Sequence, residues 1–520
     1  MSLTGSSLPD IHRHGHAPPV QLFDWYGAAL LLGVTVYLWA TLFTNVTTPF
    51  LLSNDQVFFW MDAQRLLHGE RIYLDFFQFT PPGTDLVFLG AFELFGPRIW
   101  VTNLVVLVLG ILLCSVCYRI SRSIMDRSHA VLATSLFVVF FFGRLQTATH
   151  HWFSVLAVLS AVVVLMNDRT PTRILIAGAL LGVATFFTQT RGPIAAVGIA
   201  AYMAWVGFRD NESWSRYLRS LCLLFAPLVL TWTALSGYYL ATVGLQRIWF
   251  FQVAYLRQYQ FTELWDSVTY LRRLFADVKT ANGILFPLSF FLLPLVYALA
   301  FWSYWKESRG MPSIQRNRPL LLAIVGAALY VEVAYSPNGL RLFCIALPAI
   351  ILLIWIVGRA GDRRRYAIGA LWMGTILSAV YHVGSVHRIY SVIQHLPAGK
   401  VATTQTVGEK LAWIASHTQP GQFFFQTGWP GVYLPLGLRN PTLLEDLETP
   451  GETRLGYVDT SIQQLESRRV QYVLWSPRLE LPRYPLGAFR DYLGNHYQRI
   501  WTFPDKDEIW ERNETPNPVH

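Results

Sequence analysis

The chain has 520 residues, of which 53% are hydrophobic and only 14% are charged. A soluble protein carries about 25% charged residues, so this composition excludes an ordinary soluble domain. Apolar runs of about 20 residues recur along the sequence, long enough to cross a bilayer core of about 30 Å. The sequence therefore predicts a polytopic α-helical membrane protein. The net charge of +9 does not indicate a nucleic-acid partner, because Lys and Arg lie mainly in short loops between the apolar runs.

The chain opens with a polar segment, residues 1–23, which is rich in Pro and His and is predicted to be disordered and cytoplasmic. No cleavable signal peptide is predicted, because the first apolar run is long and lacks a small-residue cleavage site. About eleven membrane spans follow. They are predicted at 24–45, 99–118, 129–146, 152–166, 173–189, 193–208, 219–240, 283–305, 319–336, 341–358 and 366–385.

The short loops alternate between basic and poorly charged. The basic ones contain Arg119, Arg122 and Arg127; Arg169 and Arg173; Arg209, Arg216 and Arg219; Lys306, Arg309, Arg316 and Arg318; and Arg359, Arg363, Arg364 and Arg365. Basic loops tend to stay in the cytoplasm. We therefore expect a multi-pass protein of the plasma (inner) membrane, with its N-terminus inside and its C-terminus outside.

Three predicted outer segments are longer than simple connectors. Residues 46–98 and 241–282 form loops of a transmembrane domain spanning 24–385, and residues 386–520 form a small extracytoplasmic α/β domain. In the second loop, apolar residues recur every three or four positions in two segments, one starting at Leu245 and the other at Leu264. This spacing is typical of helices that lie in the headgroup plane. They can be purely structural or can form the wall of a groove for a lipid substrate.

The first outer loop combines acidic residues with an aromatic frame. Asp55 follows the first span by about ten residues, and the apolar spacing after it predicts a short helix that begins at Gln56 and ends at Gly69. Asp75 follows in an extended stretch, and a Pro-Pro-Gly turn at residues 81–83 returns the chain to the membrane. A carboxylate at a low-dielectric surface is costly unless it is paired or used, so Asp55 is a candidate general base.

Several basic residues are predicted at the same membrane face. Arg is usually less frequent on the outer side of a membrane than on the cytoplasmic side, so its presence here suggests a function. They are Arg144, His150, His151, Arg191 and Arg341. Guanidinium groups bind phosphate oxygens well, so together with the acids they suggest a phosphate or pyrophosphate site. His150 and His151 are adjacent on a helix and point about 100° apart, which disfavours a metal pair. Glu332, near the outer end of its span, is expected to pair with Arg341.

These features resemble the GT-C glycosyltransferases, integral membrane enzymes that use polyprenyl-phosphate sugars. The group includes aminoarabinose transferases, protein O-mannosyltransferases and bacterial galacturonosyl transferases. The resemblance rests on Asp55 after the first span and on the pattern that follows it. That pattern consists of residues 63–67, Gly69, Tyr73, Asp75, Pro81, Pro82 and Gly83. Asn54 stands where the O-mannosyltransferases have an adjacent Asp-Glu pair, which argues against that subgroup.

The resemblance implies transfer of a sugar from a polyprenyl-phosphate donor to an envelope glycan, lipid or protein acceptor, with inversion at the anomeric carbon. It implies that Asp55 is the catalytic base and that Asp75 supports it. Arg191 and Arg341 would hold the phosphate of the donor. Tyr73, Arg144, His150 and His151 are further candidates for substrate binding. No cofactor is indicated and no metal site is predicted, although a divalent cation is left open.

Two other functions compete with this prediction. A transporter or flippase would have ionisable residues near the middle of the bilayer and repeated halves with broken spans, but here they lie at the outer rim and no repeat is visible. A ligase or polymerase of lipid-linked glycans would use the same type of donor, but its key loop is expected late in the chain. A non-catalytic assembly factor is a further, weaker alternative.

Overall fold

A computed structural model describes residues 24–255, 281–306, 313–334, 337–361, 364–447, 455–480 and 486–513. The predicted disordered segment 1–23 lies outside these ranges. So does the predicted interfacial helix that starts at Leu264.

All eleven predicted spans are helical. They are α1 (Trp25–Leu42), α4 (Ile99–Ile124), α5 (Arg127–Phe140), α6 (His150–Leu165), α7 (Pro171–Phe187), α8 (Arg191–Arg209), α9 (Trp214–Thr242), α11 (Ala281–Lys306), α12 (Ser313–Ala334), the pair α13 (Gly339–Ile345) and α14 (Leu347–Val357), and α15 (Arg364–Ile389). In the described ranges, eight helices are long and apolar enough to cross a membrane, and α6 and α7 are shorter apolar helices. The α13–α14 pair bends by 53°, where Pro348 in the first turn of α14 lacks the N–H that a continuous helix needs.

Close packing between spans depends on glycine at two positions of α7. A Cβ added to Gly178 would collide with the carbonyl oxygen of Leu224, and one added to Gly182 would collide with that of Leu228. Small residues let helix backbones approach closely inside a membrane. They bring α9 against α7, and α7 in turn packs on α6 and α8.

The loop after α1 folds into short elements at one end of the bundle. They are the hairpin β1 (Phe43–Asn45) and β2 (Thr48–Pro49), then α2 (Gln56–Leu67) and α3 (Gly83–Phe95). The predicted helix from Gln56 is confirmed, and it ends close to Gly69, which has a φ of +83°. After α9, α10 (Leu245–Trp249) continues as a π-helix, Phe250–Ala254. The Phe251 ring lies 5.5 Å from the ring of Tyr73, so this helix packs on the first loop.

The segment after α15 forms a small α/β unit, which we call the cap and define as the described part of residues 392–513. Its strands are β3 (Val392–Leu396), β4 (Gly399–Thr403), β5 (Phe425–Gln426), β6 (Tyr472–Trp475), β7 (Tyr497–Thr502) and β8 (Glu508–Arg512). Its helices are α16 (Gln405–His417), α17 (Tyr433–Leu436), α18 (Leu455–Ser467) and α19 (Gly487–His496).

Within the cap, β3 and β4 form a hairpin, and the other strands form a sheet in the order β5-β6-β8-β7. Strand β5 runs parallel to β6, and the β6–β8 and β7–β8 pairs are antiparallel. The predicted α/β character of this segment is thus confirmed. The β3–β4 hairpin was not predicted.

The cap is joined to the first loop by backbone hydrogen bonds. The N–H of Leu51 donates to the carbonyl of Ala402 over 2.9 Å, and the N–H of Phe77 donates to that of Leu443 over 2.9 Å. The basic loops lie at the opposite end of the bundle, where Arg169 pairs with Glu212 at 3.1 Å and Arg318 donates to the carbonyl of Met166 at 3.0 Å. The two ends of the molecule therefore differ in charge and in structure.

Candidate active site

Asp55 is the residue immediately before helix α2. Asn54 before it adopts a φ of +70°, in the left-handed region that Asn tolerates better than most residues. The next residue, Gln56, is buried. Its side-chain amide donates to the Ser53 carbonyl at 3.0 Å, and its oxygen accepts from the Ala148 N–H at 3.1 Å. These bonds fix the start of α2 beside the start of α6.

The carboxyl group of Asp55 is half-buried and lies near a guanidinium group. Burial raises its pKa above the ordinary value, and the positive charge of Arg341 acts in the opposite direction. Arg341 occupies the first turn of α13, where the Asn338 side chain caps the helix by accepting from the Arg341 N–H at 2.8 Å. Capping by Asn338 thus fixes the backbone position of Arg341, whose charge acts on Asp55.

A polar cavity opens where α6, the α7–α8 turn, α12 and α13 meet at the cap end. It is lined by Phe79, Thr80, His150, His151, Thr188, Gln189, Thr190, Arg191, Glu332, Val333 and Arg341. Four of the predicted site residues, Arg191, Arg341, His150 and His151, are therefore brought together although they come from three separate parts of the chain.

Arg191 is the most deeply buried cation of the cavity, with only 1% of its side chain exposed. Its Nε lies 3.1 Å from the carboxylate of Glu332, and its Nη1 donates to the His151 carbonyl at 3.0 Å. Gly192 makes this position accessible, since a Cβ there would collide with Thr185. The pairing of Glu332 with Arg191 corrects the predicted pairing of Glu332 with Arg341.

His150 and His151 begin α6 with their rings 3.9 Å apart. The ring of Phe59, from α2, lies 5.7 Å from that of His150. Within the described residues, no group of three or more His, Cys, Asp or Glu side chains could hold a metal ion. The pair therefore connects the helix that carries Asp55 to the wall of the cavity.

Three other predicted site residues have partners elsewhere and do not line the cavity. Asp75 is 38% exposed and forms an ion pair with Arg71 at 3.0 Å, which lowers its pKa. Arg144 donates to the Ser378 hydroxyl at 2.9 Å, on α15. Tyr73 is fully buried, donates to the Thr80 carbonyl at 2.6 Å and accepts from Gln252 at 2.8 Å. Its contact with Thr80 supports the cavity wall from behind.

Comparisons with known proteins agree with this architecture. A sequence model of the dolichyl-phosphate-mannose-protein mannosyltransferase family matches residues 80–236, which is less than half of the chain. The structure of ArnT from Cupriavidus metallidurans bound to undecaprenyl phosphate is 13% identical with a TM-score of 0.53, and the match covers 94% of this chain and 98% of that one. The oligosaccharyltransferase of Archaeoglobus fulgidus, tethered with an acceptor peptide, is 13% identical with a TM-score of 0.53, over 95% of this chain and 75% of that one. The chain matches no curated protein sequence.

The chain has the GT-C fold. The fold predicted from the resemblance around Asp55 is thereby confirmed. Because both solved structures share only 13% identity with the chain, the likeness establishes the architecture, and the roles of individual residues depend on the geometry of this site.

Two kinds of group lie at this end of the bundle: arginines line the cavity, and Asp55, which is outside the cavity lining, lies where the charge of Arg341 acts on it. Arg191 and Arg341 supply guanidinium forks that can bind phosphate oxygens and stabilise developing negative charge. Asp55 supplies a carboxylate that can accept a proton from a hydroxyl group if the hydroxyl lies within hydrogen-bond reach.

Sequence reasoning gave too small a role to Glu332 and missed Gln189 and Thr190. Glu332 accepts from the Thr190 hydroxyl at 2.7 Å as well as pairing with Arg191. The side chain of Gln189 donates to the Gln252 carbonyl at 3.0 Å, so it joins the cavity turn to the π-helix. An acidic residue within an apolar span is itself a signal of function, and that signal could have placed Glu332 in the site.

Proposed function

We propose that the protein transfers a sugar from a polyprenyl-phosphate donor to an envelope glycan, lipid or protein acceptor. The observation that carries this proposal is that Arg341 lines the cavity together with Arg191 and is also the cation whose charge acts on Asp55. The donor's phosphate binds the two guanidinium groups, and its lipid chain extends into the bilayer beside the spans. Asp55 accepts the proton of the acceptor hydroxyl as it attacks the anomeric carbon.

The leaving group in this reaction is a lipid phosphate, which departs without a strong general acid when cations stabilise its charge. One displacement by the acceptor hydroxyl breaks the bond between the anomeric carbon and the phosphate oxygen, forms the new glycosidic bond and inverts the anomeric centre. Asp55 acts as the base, and Arg191 and Arg341 bind the phosphate. His150 and His151 line the same cavity and are proposed to contact the donor.

We infer that the cap end faces the outside of the plasma (inner) membrane. The basic loops at the opposite end support this orientation, because Lys- and Arg-rich loops favour the cytoplasm. It implies a cytoplasmic N-terminus and an extracytoplasmic cap, with residues 24–385 as the transmembrane domain and residues 386–520 as the outer domain. A cysteine introduced at exposed Arg388 should then react with a membrane-impermeant thiol reagent in intact cells, and protection of that cysteine would reverse the orientation.

The decisive experiment compares cells with and without the gene by mass spectrometry of lipid-linked and envelope glycans. We expect one glycosylated product to disappear and its unmodified acceptor to accumulate. In a purified system, release of polyprenyl phosphate should require both the sugar-loaded donor and an envelope extract from the deleted strain. Identical glycan profiles together with no acceptor-dependent release of polyprenyl phosphate would refute the proposal.

A donor-site variant tests the phosphate ligands separately. Arg341→Ala removes one guanidinium group, and a hydrogen bond to a charged partner contributes about 1.5–3 kcal/mol. The donor concentration for half-maximal rate should therefore rise by roughly 10- to 150-fold, while the acceptor dependence changes little. An unchanged donor dependence would remove Arg341 from the site.

A further inference from the structure

An aromatic pair joins the cap to the helix that begins after Asp55. The Trp429 ring lies 5.7 Å from the Phe58 ring, centroid to centroid, at an interplanar angle of 63°. Trp429 remains 39% exposed, and Phe58 is half-buried. The two rings therefore touch edge to face, and the Trp429 ring still keeps part of its apolar surface exposed.

The loop that carries Trp429 is held firmly. It follows β5, where the Thr427 N–H donates to the Leu474 carbonyl at 3.0 Å, and the Gly431 N–H turns back to the Trp429 carbonyl at 2.7 Å. The side chain of Gln426 accepts from the Val432 N–H at 3.2 Å and closes the loop from the other side. These hydrogen bonds fix the backbone on both sides of Trp429. A binding group that is already held in place loses less conformational entropy when a ligand binds.

The pair lies beside Asp55. Phe58 follows Asp55 by one helical turn, and its N–H donates to the Asp55 carbonyl at 3.3 Å, so the two residues lie on the same side of α2. The next residue, Phe59, points about 100° further around the helix and contacts the ring of His150 at the cavity wall. The first turn of α2 therefore carries both a contact with the cavity wall and, beside Asp55, an uncharged aromatic surface.

Most of the other exposed tryptophans in the described ranges belong to the membrane-spanning helices or lie next to them. They include Trp25, Trp100, Trp205, Trp214, Trp249, Trp302 and Trp305. Tryptophan is enriched at the membrane interface for its amphipathic ring, which accounts for these positions. Trp429 belongs to the cap and faces α2, so the membrane interface does not explain its exposure.

We propose that Trp429 and Phe58 form a platform for a sugar ring of the acceptor glycan. This inference rests on the proposed function and names its acceptor as a carbohydrate. The C–H groups on one face of a pyranose carry partial positive charge and are attracted to the negative face of an aromatic ring. A neutral, rigid aromatic surface suits that face, whereas the arginine-lined cavity suits phosphate.

The position of the platform also suits the reaction. Because Phe58 lies one helical turn from Asp55, an acceptor sugar stacked on Trp429 and Phe58 has its hydroxyl groups close to the proposed base. Trp429 is a positioning residue in this scheme and takes no part in proton transfer.

The test measures initial rates of the full-length protein with Trp429→Ala, Trp429→Phe and Phe58→Ala. The acceptor probe is the glycan-bearing lipid fraction of envelopes from cells that lack the gene, and the donor is the polyprenyl-phosphate sugar pool of the same cells. We expect Trp429→Ala to raise the amount of acceptor needed for half-maximal rate by roughly 3- to 10-fold. The donor dependence and the maximal rate should change little, and Trp429→Phe should restore most of the loss.

Trp501→Ala provides the matched control, because Trp501 lies on β7 of the same cap with 50% of its surface exposed. It should leave the acceptor dependence unchanged. A second measurement avoids variants altogether. Oxidation of Trp429 in the wild-type protein, read by peptide mass spectrometry, should slow when the glycan fraction is added, while oxidation of Trp501 should not.

The outcomes separate the two proposals. If the wild-type protein transfers sugar but Trp429→Ala has normal acceptor dependence, or if the glycan fraction does not protect Trp429, the platform is refuted and the proposed function stands. If transfer goes to the protein fraction of the envelope instead, the carbohydrate acceptor is refuted. If the wild-type protein transfers no sugar from the donor pool to any fraction, the proposed function itself fails.

Discussion

Helix α2 carries two acidic sites in opposite surroundings. Asp55, just before its first residue, is half-buried beside an arginine-lined cavity. Asp62, two turns further on, is completely buried. It lies within hydrogen-bonding reach of two other buried carboxyl groups, Asp85 of α3 and Glu445 of the cap. An aspartate side chain therefore lies near a cation at the first site and near other carboxyl groups at the second.

The buried site, which we call the carboxyl cluster, consists of Asp62, Asp85 and Glu445. Gln78 bridges it, donating to Asp62 at 2.8 Å and to Glu445 at 3.4 Å. Burial raises the pKa of Asp62 to about 6. Burial, together with the like charge of Asp62, also raises the pKa of Asp85 well above its ordinary value. Arg65, the cation nearest to Asp62, is already paired with Glu70 at 2.7 Å.

The comparison indicates which surroundings allow an acidic residue at this end of the molecule to act as a base. At Asp55, burial raises the pKa of the carboxyl group, and the nearby charge of Arg341 opposes that rise by favouring the ionised form, which can accept a proton. In the carboxyl cluster, ionising both Asp62 and Asp85 would place two like charges next to each other in a buried site, which is unfavourable. This pair therefore favours a shared proton, and the cluster acts as a hydrogen-bonded link between the first loop and the cap.

The most severe way to test this comparison is to neutralise each acid in turn. Asp55→Asn should lower the rate of sugar transfer by about 10²- to 10⁴-fold, the range for loss of a general base, with an unchanged unfolding temperature. Asp62→Asn, the matched change seven residues along the same helix, should retain transfer near the wild-type rate. Initial rates and thermal unfolding of the detergent-purified proteins measure both effects. A fully active Asp55→Asn enzyme would move the base elsewhere.

The second test concerns the buried ion pair of the cavity. Arg191→Met leaves the carboxylate of Glu332 without its partner, and breaking a buried pair from one side costs about 3–5 kcal/mol. The Arg191→Met/Glu332→Gln double variant removes the orphaned charge and should recover part of that stability. Arg388→Met serves as the control, because Arg388 is exposed. Equal stability of all three proteins in denaturant would show that the pair does not brace the cavity.

Much of the fold could be predicted from the sequence because membrane spans depend on local composition. Runs of apolar residues between basic loops predicted all eleven helical spans, and the spacing of apolar residues after Asp55 predicted α2. The bend between α13 and α14 was missed, although Pro348 provides a local cause. The convergence of Arg191, Arg341 and the histidines followed from topology, since they lie at the same ends of their helices.

The pairing of side chains could not be predicted, since it depends on which helices are neighbours. Glu332 contacts Arg191 because α12 packs against α8, which the order of spans does not reveal. Asp75 fitted a family pattern but lies beside Arg71, four residues away. Tyr73 has an unusual φ of +68°, which only the folded loop shows. The contact between Trp429 and Phe58 joins residues far apart in the chain.

The third test uses pH to separate the two acidic sites. The pKa of Asp62 is about 6 in the folded protein, against an ordinary value of 3.8. A group whose pKa is raised on folding stabilises the protein fully below its unfolded pKa, and this contribution is lost as pH rises through the folded value. The unfolding temperature should therefore fall as pH increases through about 6, and Asp62→Asn should flatten that fall. Asp55→Asn should not flatten it to the same degree, and a wild-type profile that rises across this window would contradict the protonated cluster.

The smallest effect is expected at Asp75. Its ion pair with Arg71 is exposed to water, and exposed pairs contribute little because solvent screens them. Asp75→Ala should therefore retain nearly normal transfer and nearly normal unfolding temperature. Because the pKa of Asp75 is lowered by Arg71, the slight stabilisation it provides should be present at neutral pH and lost as pH falls through that pKa. A large loss of transfer by Asp75→Ala, with the fold intact, would restore the second catalytic carboxylate predicted from the sequence pattern and would place the reacting centre nearer the Arg71 turn than the cavity at Arg191.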